Sequence, residues 1–183
     1  CKRVQVPFEV YSFRTPFERE NLYDAFTHKT GDIFMQNFKL RNLLSSRMKI
    51  HELNEAMLNL WMLANGAAGY CEQMNSTPLN QAIVVAPKVV NMFKARNKVQ
   101  IVNVIVLTDG QSDPNDKIWG STYLDTNKKH KYILQDVVTK KTYDFTVSRS
   151  HWHGFNNIST KEKTTLFLRM LKDQTGCNLI GFY

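Results

Sequence analysis

Cysteine is scarce in this chain of 183 residues: Cys1, Cys71 and Cys177 are an odd number at no metal-like spacing. That excludes a disulfide scaffold and fits reduced thiols, so the cytoplasm is the expected setting. Long apolar runs are missing as well. The longest, Ile101 to Leu107 and Leu179 to Tyr183, fall far short of the roughly 20 residues that cross a bilayer, so no membrane span and no membrane partner are expected. The amino end, Cys1-Lys2-Arg3-Val4-Gln5-Val6-Pro7, lacks an apolar signal core, a cleavage pattern and an initiating Met, and is expected to be the interior of a longer protein. There is no repeat of solenoid period, no glycine-rich phosphate loop, and no serine elbow or Cys/His pair to serve as a nucleophile with its base.

What is present is ordinary globular material. With 43% hydrophobic, 11% aromatic and 22% charged residues, the composition predicts a single domain over residues 1–183 and excludes a disordered or collagen-like chain. The formal charge of +8 and a pI near 9.4 favour anionic partners in general without naming one.

Periodicity supplies the elements. Val4 to Phe13 is β-branched and aromatic up to the Arg14-Thr15-Pro16 break and predicts a strand, with Pro7 placing it at an edge or its start near Phe8. Residues 17–30 are mixed, without a period. From Met48 to Asn65 the residues Leu53, Met57, Leu60, Trp61 and Ala64 form a helical stripe, ended by Gly66 and Gly69. Ser76-Thr77-Pro78 predicts a second helix start, with Pro87 expected to kink or split that helix. Ile101 to Leu107 is nearly continuous in β-branched residues, which predicts a central parallel strand covered on both faces. Lys163 to Gln174 predicts a helix stopping at Gly176, followed by a buried strand from Asn178 to Tyr183. This order predicts an α/β fold: a Rossmann-like, open and mainly parallel sheet with helices on both faces. Residues 120–160 read as an inserted β-hairpin, with strands Lys131 to Val138 and Lys141 to Val147 joined at Thr139-Lys140.

In an open parallel sheet ligands bind beyond the carboxyl ends of the strands, where Asp109 follows the Ile101 to Leu107 run. Thr77 can present its hydroxyl to the same edge, and a hydroxyl with a carboxylate is hard-oxygen chemistry suited to Mg²⁺. A helix cap for Thr77 and a turn role for Asp109 stand as the plain alternatives.

Ser76-Thr77-Pro78-Leu79-Asn80-Gln81-Ala82-Ile83, followed by Val104-Ile105-Val106-Leu107-Thr108-Asp109-Gly110, resembles the second half of a von Willebrand factor A domain. Val6 to Phe13 is similar to that family's second strand and Asn178 to Tyr183 to its fifth. The resemblance implies an adhesion-type site in which Thr77 and Asp109 hold Mg²⁺ (or Mn²⁺), with Ser76, Gly110, Gln111 and Asp113 facing the partner. It also implies a D-x-S-x-S motif supplying three further ligand groups; these residues lack it, and it is expected to precede Cys1. The implied function is non-enzymatic: the metal grips an acidic side chain of a protein partner. Intracellular bacterial and phage members, including those that resemble the cobaltochelatase subunit, imply an AAA+ ATPase as that partner.

A different class of function rests on the hairpin. Lys128, Lys129, Lys131, Lys140, Lys141 and Arg149 outnumber Asp136 and Asp144 there and are interleaved with Tyr132, Tyr143, Phe145 and Trp152, a pattern suited to a nucleic-acid backbone with stacked bases. Packing of those aromatics on the sheet is the alternative. The run His51-Glu52-Leu53-Asn54-Glu55 has Glu55 where a zinc-protease helix needs its second histidine, and His151-Trp152-His153 lacks a third ligand. Asp109, Asp113 and Asp116 do not follow calcium-loop spacing.

Overall fold

The computed structural model describes residues 5–16, 27, 29, 32–35, 38–67, 76–108, 110–113, 116–118, 130–147 and 160–182. Its elements, in chain order, are β1 (Glu9–Arg14), β2 (Ile33–Met35), β3 (Lys39–Ser45), α1 (Ile50–Ala64), α2 (Leu79–Asn97), β4 (Asn103–Leu107), β5 (Asp116–Ile118), β6 (His130–Gln135), β7 (Thr142–Val147), α3 (Thr160–Thr175) and β8 (Asn178–Phe182). Contacts divide the chain into two compact units: Cys1–Arg19 with Asn37–Pro78, and Glu20–Gln36 with Leu79–Tyr183.

In the first unit β1 pairs antiparallel with β3, with a shift in register between Val10 and Tyr11 that leaves Leu43 as the extra residue of a bulge. Beyond β1, Phe8 and Ser46 exchange two hydrogen bonds, at 2.9 Å to the Phe8 carbonyl and 3.2 Å to the Ser46 Oγ. Helix α1 lies against β3. Its start is fixed by Glu52, whose carboxylate accepts the Lys49 N–H at 2.6 Å. At its other end Gly66, at φ +68°, donates to Leu63 and Ala67 donates to Met62, the paired bonds of a Schellman stop. The half-buried stripe is Leu53, Ala56, Leu60 and Leu63, whereas Met57 and Trp61 face solvent. The predicted stripe is thus rotated.

The second unit is built on β4 and β8, which pair in parallel from Asn103–Asn178 to Leu107–Phe182. Val104, Val106 and Leu179 point to the face covered by α2 and α3, which pack on each other along Leu79, Ile83, Pro87 and Val90 of α2 and Leu166, Phe167 and Leu171 of α3. Ile105 and Leu107, 56% and 69% exposed, point the other way with Ile180. The expectation of a strand covered on both faces, and of a buried β8, is therefore corrected. Among the described residues both helices of this unit lie on one side of the pair, and a β-branched run does not by itself say how many faces are covered.

Among the described residues the strands form four separate pairs, of which only β4–β8 is parallel, so the fold is mixed α/β and these residues show no open parallel sheet. Pro87 does not split α2, which runs unbroken through it. The proline sits on the buried stripe itself, where packing against α3 offsets the one backbone bond it removes. No described helix is long and apolar enough to cross a membrane.

The hairpin β6–β7 is also corrected in outline. Val137 and Val138 belong to its turn, because the Asp136 carboxylate accepts the Val138 N–H at 2.9 Å, the Thr139 N–H at 3.3 Å and the Thr139 hydroxyl at 2.5 Å. Asp136 N–H then donates to Lys141, and Lys140, left-handed at φ +59°, donates to Asp136. The strands begin only beyond that knot.

Candidate functional site

Because α2 enters β4 and α3 enters β8, both helices run against the parallel pair, and their amino ends lie beside the carboxyl end of β4. That is where a topological site of an α/β unit forms. The loop leaving β4 is braced by Thr108, whose hydroxyl donates to the Gly110 carbonyl at 2.9 Å and accepts the Gly110 N–H at 3.3 Å. A Cβ placed on Gly110 meets no atom within 4 Å, so the loop is open to an approaching group there.

Two residues farther, the buried Ser112 turns back. Its Oγ accepts the Asn80 N–H at 3.0 Å, satisfying one of the free donors in the first turn of α2. This bond joins the first segment that carried the resemblance to the loop just past the second. Asn80 is fully buried and its Oδ1 lies 2.7 Å from the Thr164 Oγ1, which in turn lies 2.9 Å from the Thr160 carbonyl. Through its main-chain N–H and its side-chain oxygen, Asn80 therefore ties the β4 loop, α2 and the first turns of α3 together. Asn80 Nδ2 and Gln81 Oε1 are buried without a hydrogen-bond partner. Lys163, beside Thr164, is buried as well.

The predicted residues fall as follows. Ser76, left-handed at φ +66° and exposed, and Thr77, half-buried, close the first unit just ahead of α2. Gly110, Gln111 and Asp113 occupy the loop after β4 in the second unit; Asp109 lies outside the described residues. Ser112, Asn80, Gln81 and Thr164 were not singled out by sequence reasoning. Ser112 stands two residues past the Thr-Asp-Gly motif, the signal that a hydroxyl was available to the loop.

The donors described at this edge are hydroxyls, main-chain groups and the Asp113 carboxylate. They suit hard cations in type and are too few to hold one alone, and no group of three or more ligating side chains occurs among the described residues. A cavity of about 40 Å³ between Leu79, Ile83, Val106, Leu168 and Leu179 is far below the size of a small-molecule pocket.

At the hairpin the side chains are engaged with α3. The Tyr143 hydroxyl donates to Asp173 at 2.6 Å, and Lys141 pairs with the same carboxylate at 3.0 Å. Tyr143 is 5% exposed, so its ring has no free face for a base. Burial first, and then the Asp173 carboxylate, push its pKa up to about 12. The Tyr143 hydroxyl and then Lys141 hold the Asp173 carboxyl below its ordinary value. Lys140 is exposed; Lys131 and Tyr132 lie in β6 but their side chains, with Lys128, Lys129, Arg149 and the His151-Trp152-His153 run, fall outside the described residues. His51 and Glu52 are exposed on α1, with Glu52 occupied in capping.

Compared with known proteins, the chain matches no family model, no curated protein and no solved structure.

Proposed function

We propose that this chain is a non-enzymatic, cytoplasmic interaction module of the von Willebrand A type, whose partner docks at the carboxyl end of β4. The observation that carries the reading is the bond from Asn80 N–H to Ser112 Oγ, which brings the start of the Thr-Pro-Leu helix to the loop that follows Thr-Asp-Gly. The open surface at Gly110 is consistent with a protein partner.

In this reading Thr77 and Asp109 enter on their sequence motifs as oxygen ligands of Mg²⁺ or Mn²⁺, and a D-x-S-x-S segment completes the shell. The metal supplies an open coordination position for an acidic side chain of the partner. Ser76, Gly110, Gln111 and Asp113 enter on the same resemblance as partner-facing residues, and an AAA+ ATPase is the partner class that the resemblance favours. The nucleic-acid reading has weaker support, since Lys141 and Tyr143 are committed to Asp173.

Paramagnetic Mn²⁺ tests the site without a partner. Titrated into the isotopically labelled chain, it is expected to bind weakly at this incomplete shell, which paramagnetic relaxation still detects, and to broaden the amide signals of Thr77 and of Gly110 to Asp113 selectively, and Asp109→Ala is expected to abolish that broadening. Broadening spread evenly over the acidic surface, or unchanged in Asp109→Ala, would remove the metal from the proposal.

A further inference from the structure

The opposite end of the second unit carries a second surface. There the carboxyl ends of α2 and α3 meet, cross-linked by Lys94, whose ammonium donates to the Thr175 carbonyl at 2.5 Å. The hairpin turn is fastened to the same end through Tyr143 and Lys141 on Asp173, and through a hydrogen bond between Asp136 and Gln174. Three segments far apart in sequence thus converge.

Their charges do not balance. Arg96, Lys140, Arg169 and Lys172 are all exposed here. Among the described residues, the two carboxylates of this end are already spent: Asp136 is buried under its own turn, and Asp173 holds Tyr143 and Lys141 with Arg169 close by. Asp144 follows Tyr143 in β7 and so faces away from α3. Basic residues at helix carboxyl ends are favoured by the helix dipole, but that accounts for Arg96 and Lys172 and not for the turn. Among these cations the turn presents two adjacent valines, Val137 and Val138, 76% and 73% exposed. The turn is held rigid by Asp136, so this exposure is built in.

We infer that this end docks an acidic segment of a protein partner: carboxylates engage Lys140, Lys172, Arg169 and Arg96, and an apolar side chain seats on Val137 and Val138. Charge complementarity sets the sign of the partner. The valines set its class, because a phosphate backbone has no use for exposed aliphatic groups and the tyrosine that would stack on a base is buried. The surface lies away from the candidate metal edge and does not depend on it.

Fluorescence anisotropy provides the test, with three labelled probes: a short peptide of glutamates interrupted by leucines, an all-glutamate peptide of equal charge, and a single-stranded oligonucleotide. The leucine-bearing peptide is expected to bind most tightly and to be indifferent to chelator, which separates this surface from the metal site. Lys140→Glu with Lys172→Glu is expected to weaken it by about tenfold or more, and Val138→Ser by several-fold. All these positions are exposed, and an unchanged thermal melt by circular dichroism verifies that the variants fold. Tighter binding of the oligonucleotide, with Val138→Ser without effect, would overturn the proposal in favour of a nucleic-acid surface. Absence of saturable peptide binding, or binding unmoved by the charge reversals, would overturn it outright.

Discussion

At the scale of single residues the most consequential group is Asp173, because two hairpin side chains reach α3 through one carboxylate. Their titration gives this attachment a definite pH window. Asp173 and Asp136 both sit below the ordinary carboxyl value of 3.8, the first through Tyr143 and Lys141, the second because hydrogen bonds from Thr139, Val138 and Gln174 outweigh the upward pull of its burial. Depressed carboxyls contribute stability above their unfolded values and lose it as pH falls through the folded ones. Tyr143, raised from 10.0 to about 12, works in reverse: its contribution is complete below pH 10.0 and is lost between there and about 12. The hairpin is therefore expected to stay attached with little change from about pH 5 to 9 and to loosen below about 4 and above about 10. Amide exchange of β7, corrected for intrinsic rates, measures this. Tyr143→Phe is expected to remove the alkaline arm and leave the acid arm in place; an alkaline arm that survives the substitution would show that another group causes it.

At the scale of elements the helices were legible because their stops are chemical. Gly66 and Gly176 both adopt left-handed φ, and Gly176 donates to Lys172 at 2.7 Å as the pattern requires. Helix α2 ends differently: Lys98, at φ +52°, takes the position after Asn97 that Gly176 takes after α3. A side chain with a Cβ is disfavoured there by about 1 kcal/mol. Lys98→Gly is accordingly expected to stabilise the fold by about that amount in urea unfolding, while Lys98→Ala, which keeps the Cβ, is expected to bring no gain. Equal gains from both would locate the strain in the lysine's charge. Strands were harder to read. Strand β3 was missed because the bulge at Leu43 breaks the alternation that Leu40, Asn42 and Leu44 would otherwise show, and β2 and β5 are three residues each, too short to carry a period. The candidate edge was half legible: Thr77 and Gly110 were marked by motif, whereas Ser112 acts on a residue 32 positions away and only folding reveals that.

At the scale of the whole molecule, burial is distributed unevenly. The buried apolar residues concentrate in the second unit, with Leu79, Ile83, Val90, Leu166, Phe167, Leu171 and Cys177, whereas α1 in the first unit has no buried residue at all. Local stability follows burial, so hydrogen exchange should rank the elements. Amides of α2, α3 and β4 are expected to be the slowest, and those of Ile50–Ala64 faster by about 10²-fold or more once intrinsic rates are removed. Leu171, 1% exposed in the carboxyl-terminal half of α3, probes how far the slow core acts as one body. Leu171→Ala removes a packed isobutyl group from between the helices, which costs about 2–5 kcal/mol. Since α2, α3, β4 and β8 share that core, all four are expected to lose protection together and by similar free energies. Loss confined to α3, with α2 and β4 still slow, would mean that the polar tie of Asn80 to Ser112 and Thr164 holds α2 on β4 independently of the apolar core, and would place the rigidity of the candidate site in its hydrogen bonds.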